Sequence, residues 1–103
     1  MGTNNCGYST LTVSSTAVAL ATACSPVMPS TAQGCIITLE DDYVRWRDDG
    51  TAPTTTEGHL MAIGEVMTFD SWTVPRNNWK QVLKAIKFIR VTADAKLKIS
   101  WYD

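Results

Sequence analysis

The sequence predicts an all-β fold: one domain over residues 1–103, an antiparallel β-sandwich or a jelly-roll-like barrel. Turn signals built on Gly, Pro, Asn and Asp recur at short intervals, which is the rhythm of a sandwich or small barrel. Residues 95–102 alternate cleanly, with Ala95, Leu97, Ile99 and Trp101 on one face and Lys96, Lys98, Ser100 and Tyr102 on the other. No internal repeat, low-complexity tail or second domain interrupts the 103 residues. A chain of that length buries roughly 60–68% of its unfolded surface on folding.

Strands are expected at 7–13, 16–21, 35–40, 43–47, 59–63, 65–69, 85–91 and 95–102. In the fourth, Val44 and Trp46 share one face and Tyr43, Arg45 and Arg47 the other. It runs into a tight turn at Asp49-Gly50, residues that tolerate positive φ. Gly64 separates the fifth and sixth runs as a tight hairpin turn would. Residues 25–34, with Pro26 and Pro29, read as a loop. The stretch 77–89 carries two signals. Trp79, Val82, Leu83 and Ile86 follow helical spacing behind an Asn cap, whereas 86–91 is rich in strand formers. One short helical turn near 78–83 leading into a strand reconciles them.

The net charge of −1 lacks the basic excess a nucleic-acid binder uses to displace counterions. The average conceals an uneven layout. Residues 1–39 hold no charged side chain and no His, residues 40–70 hold eight of the ten acids, and residues 76–98 hold seven of the nine bases. Two arrangements produce such blocks: neighbouring strands alternating charge across one solvated face, or complementary patches meeting between subunits. Residues 16–23 form a small-residue run, but no basic segment precedes it and Ser and Thr interrupt it, so the expectation is a protein made and used without export. No run approaches the roughly 20 apolar residues of a membrane span.

Chemistry-bearing residues are sparse. Cys6, Cys24 and Cys35 have wide spacing and no Cys-x-x-Cys, which fits three buried or part-buried free thiols and not a zinc site. His59 is the lone histidine. As a general base it would need a nucleophile and an orienting partner, and a strand-edge histidine is the simpler reading. Asp41-Asp42 and Asp48-Asp49 resemble carboxylate pairs, but neighbours in extended chain point to opposite faces. Asp side chains bonding nearby amides in turns explain them better. A divalent cation on Asp48, Asp49 and the 51–57 loop lacks the Asp-x-Asp-x-Asp spacing with a terminal Glu. No cofactor or metal ligand set emerges, and an enzyme is the least supported class. Trp46 and Trp101 lie in core phase, while Trp72 and Trp79 flank a loop containing Arg76. Trp72 and Trp79 either fold back on the core or face outward; Trp and Arg are typical interface anchors, so Trp72, Arg76, Trp79 and Tyr102 form the candidate interface.

The order Val44-Arg45-Trp46-Arg47-Asp48-Asp49-Gly50-Thr51-Ala52-Pro53-Thr54, a short loop, Gly58, Leu60 and Gly64-Glu65 resembles a recurrent pattern in small virion-associated proteins of tailed bacteriophages. So does the ending Phe88-Ile89-Arg90-Val91-Thr92-Ala93 with Ala95-Lys96-Leu97 and Ile99-Ser100-Trp101-Tyr102. The likeness runs over about residues 8–102. It implies a compact β domain serving as a non-enzymatic structural part of the virion, assembled in the host cytoplasm. Capsid decoration (a cement protein) comes first, a neck or tail component next. Implied partners are the major capsid protein or other virion proteins and further copies of the chain, a trimer being favoured. Nucleic acid and membrane are not among them. The chain departs from the pattern in a longer insertion at 70–80. A rival reading is a host-surface glycan module using Trp72, Trp79 and Tyr102.

Overall fold

Alternation of apolar and polar residues organises the first sheet around its last strand. In the computed structural model, which describes residues 4–69 and 83–102, β8 (Ala95–Tyr102) buries Ala95, Leu97, Ile99 and Trp101 completely. It pairs antiparallel with β1 (Asn5–Val13) on one side and β3 (Gly34–Glu40) on the other, and β3 pairs with β6 (Val66–Phe69). The second sheet is formed by β2 (Val18–Ala19), β7 (Lys87–Arg90), β4 (Val44–Arg47) and β5 (His59–Met61). The orders are β1-β8-β3-β6 and β2-β7-β4-β5.

These orders contain the four antiparallel pairs β1–β8, β2–β7, β3–β6 and β4–β5. They are the rungs of one long hairpin folded over on itself, which is a jelly roll. Its tip is the β4–β5 connection, residues 48–58. Each other strand-to-strand step crosses from one sheet to the other, so both inner faces close on a single core. That core includes Leu11, Val13, Ile37, Leu39, Val44 and Phe88.

Among the described residues one polar side chain, that of Ser9, is buried with them. Ser9 Oγ donates to the Pro26 carbonyl (2.6 Å) and accepts from Trp101 Nε1 (2.9 Å). The indole N–H therefore has a partner inside the core, as a buried donor requires. The Ser25–Pro26 peptide is cis, and residue 25 joins Thr10 through reciprocal backbone bonds.

Three expectations are corrected. The strand expected at 16–21 is only Val18–Ala19. Leu20 then turns into a single helical turn, α1 (Leu20–Ala23), that buries Leu20 and Ala21. Ala and Leu favour the helix, and an edge strand with one neighbour has little to oppose it. Gly64 does not close a hairpin: the runs it separates, β5 and β6, lie in different sheets, and residues 62–65 form the arch between them. The strand expected at 85–91 begins at Lys87, behind a helical end at 83–85. Residues 78–82 of the expected helical turn lie outside the described residues.

Candidate functional site

Strand β4 positions the most distinctive segment of the chain. Val44 is buried and Trp46 packs on the core, where its ring meets Phe69 edge-on at 5.8 Å. Period two then forces Arg45 and Arg47 onto the outer face of the second sheet. Arg45 spreads across the returning loop, its Nε donating to the Thr55 carbonyl (3.0 Å) and Nη1 to the Gly58 carbonyl (2.9 Å). Arg47 forks onto Asp49 through Nε (3.1 Å) and Nη2. Asp49 also accepts from the Thr51 amide at 3.2 Å, the Asx turn expected of it.

The rest of the loop is held as tightly. Thr54 and Glu57 exchange backbone bonds of 2.9 and 3.3 Å, and Thr54 Oγ1 accepts from the Glu57 amide at 2.9 Å. Lys87 Nζ reaches the Gly50 carbonyl at 3.2 Å. Gly58 has φ +133°, and Pro53 is buried beneath the loop. An open surface cleft of about 340 Å³ results, lined by Arg47, Asp48, Asp49, Glu57, Gly58 and His59. His59 is exposed and its ring lies tilted against Trp46, centroids 4.6 Å apart and planes at 37°.

The electrostatics match these contacts. The side-chain bond from Arg47, aided by the Thr51 amide, holds Asp49 below the ordinary carboxylate value, and the same pairing raises Arg47. Both Asp49 oxygens are therefore engaged by a guanidinium, which removes that carboxylate from the cation set imagined for the loop. Among the described residues no group of three or more His, Cys, Asp or Glu side chains could hold a metal ion. The thiols follow their packing: Cys6 is half-buried, and Cys24 and Cys35 are buried and unbridged. Burial pushes Cys35 up to about 12 and raises Cys24.

At the opposite end of the sandwich, Asp42 joins two crossings. Its Oδ2 accepts from the Thr92 hydroxyl (2.8 Å) and the Ala93 amide (2.6 Å), and its Oδ1 from the Tyr43 amide (2.7 Å). The Thr92 bond is the largest cause lowering its pKa below the ordinary 3.8. A carboxylate depressed in the folded state stabilises it above the unfolded value and loses that contribution as pH falls through the folded value. Asp42→Asn is therefore expected to lower the melting temperature at pH 7. The gap to the parent protein should close below about pH 4, as Asp42 itself protonates. A gap constant from pH 7 to pH 2 would show that the charge on Asp42 is irrelevant.

Of the candidate interface, Trp72, Arg76 and Trp79 lie outside the described residues. Tyr102 is half-buried on the outer face of β8, its carbonyl accepting from the Gln33 amide at 2.7 Å. Glu40 of the acid-rich stretch stands opposite Lys96 of the base-rich stretch across β3 and β8, while Arg90 pairs with Asp94 inside the base-rich stretch. The Asp42 clamp and the Ser9–Trp101 bond had no signal in the sequence, because their partners are 50 and 92 positions apart.

No protein-family model matches the chain, no curated protein matches it, and no solved structure matches it.

Proposed function

We propose that the chain is a non-enzymatic structural component of a tailed-bacteriophage particle, first of all a decoration protein that stabilises the shell against its major capsid protein. The observation that carries the reading is the fate of the motif behind the phage resemblance. Arg45, Arg47, Asp49 and Gly58 all act on the tip of the jelly-roll hairpin, so the fold accounts for those residue types without any reaction. A shell clamp requires this kind of part: a rigid domain, held loops and edges that pair with the right neighbour. Jelly rolls recur in viral capsid and lectin domains, a fold-level analogy that leaves room for the glycan reading. Tyr8 and Tyr102, on one sheet face, are its stacking candidates among the described residues.

The test is the copy number of the chain in purified particles, by quantitative mass spectrometry against the major shell protein. A simple lattice fraction is the expected result. A count equal to one small ring would move the chain to the neck or tail, and absence from the particle would end the structural reading in favour of glycan binding.

A further inference from the structure

The outer face of the first sheet carries a pattern in which one row holds both signs of charge. The registers of β1, β8, β3 and β6 place its outward residues in rows. One row runs Tyr8, Ser100, Ile36, Thr68, and the next Thr10, Lys98, Thr38, Val66. The third is Thr12, Lys96, Glu40. Tyr8 and Val66, 56% and 63% exposed, are among the large apolar side chains that the fold leaves in water. Lys96 and Glu40 are exposed neighbours in one row, and the ion pairs formed among the described residues are Arg47–Asp49 and Arg90–Asp94.

We infer that this face binds the same face of a second copy, about a two-fold axis parallel to the strands and lying between β8 and β3. Such an axis sets β8 against the partner's β3 and β1 against the partner's β6, keeping each row at its own level. Lys96 then meets Glu40 of the other copy, and Glu40 meets Lys96, so the row carrying both signs complements itself. Val66 covers Thr10 of the other copy, and Lys98 meets Thr38, so no like charges are opposed. An isologous contact needs this self-complementarity. The aligned packing of two sheet faces supplies the geometry, the faces about 10 Å apart.

The footprint sets the strength. Four strands at about 4.8 Å and roughly seven residues at about 3.3 Å cover on the order of 400 Å² per copy. The total falls below the standard range of about 1,200–2,000 Å², so the contact belongs to the weak, transient class. The inference stands independently of the virion reading and points to a two-fold pair where the resemblance implies a trimer.

Sedimentation equilibrium of the pure protein at low salt, up to millimolar concentration, tests it. A monomer–dimer equilibrium that weakens with salt is expected. Lys96→Glu, which opposes like charges at two symmetric positions, should weaken it at least about tenfold, and Glu40→Lys should do the same. The combined Lys96→Glu/Glu40→Lys variant should restore it. A monomer at millimolar concentration, a trimer, or single variants that associate like the parent would each overturn the inference. So would a double variant that fails to recover.

Discussion

Trp101→Ala is expected to remove most of the stability of this domain. The side chain is fully buried at the end of β8, with Cys35 and Gly7 beside it in the neighbouring strands. Truncating a buried Trp costs about 3–5 kcal/mol in lost transfer energy and cavity. The loss also strips Ser9 of its indole donor, although Ser9 keeps the Pro26 carbonyl as acceptor. A domain of this length has about 5–15 kcal/mol in total, so the variant should melt near or below room temperature or fail to accumulate. Trp101→Phe separates the two contributions. It keeps most of the volume and removes the N–H, for an expected loss of about 1–3 kcal/mol in urea unfolding. Ser9→Ala, which orphans the indole N–H, should fall in the same range. A Trp101→Ala variant that unfolds within about 1 kcal/mol of the parent would contradict the packing described here.

Gly58→Ala should destabilise by about 2–4 kcal/mol through two causes that act together. The backbone sits at φ +133°, where an L side chain is strained. The new Cβ would also stand 3.1 Å from Pro53 Cβ, 3.1 Å from the Trp46 carbonyl oxygen and 3.3 Å from Arg45 Cβ. Two of those neighbours belong to β4 and cannot yield without disturbing its ladder. Gly50 is the control. It also has positive φ, +82°, but a Cβ there meets nothing within 4 Å. Gly50→Ala should therefore cost about 1 kcal/mol, the left-handed penalty alone. Equal losses at the two positions would mean that the loop is not packed on Arg45 and Pro53. Under the proposed virion role, Gly58→Ala should also impair incorporation into particles more than Gly50→Ala does.

The sequence was most legible where the relevant physics is local. Alternation with period two reports which residues of a strand share a face, and that depends only on neighbours along the chain. The alternation at residues 95–102 therefore matches β8 to the residue, and that at 44–47 matches the opposite faces of Val44/Trp46 and Arg45/Arg47. The turn chemistry of Asp49 was legible for the same reason, since its partner amide is two residues away. Residues 16–21 misled because apolar content alone does not separate a short edge strand from a helical turn.

Which sheet each strand joins was decided by tertiary structure. The Gly64 turn has the same local chemistry whether it closes a hairpin or crosses between sheets. Only the pairing of β5 with β4 and of β6 with β3 makes it an arch. Long-range partners likewise decided the roles of Arg45, Asp42 and Ser9, whose bonds span 13, 51 and 92 positions, the last shared with Trp101. The segregation of acids from bases was plain in the chain. That Glu40 and Lys96 lie side by side in one row follows only from the register of β3 with β8. Composition and alternation determined an all-β domain with a defined inner face. Folding the hairpin over itself determined which outward residues became neighbours, because contacts between strands depend on register, which local sequence does not encode.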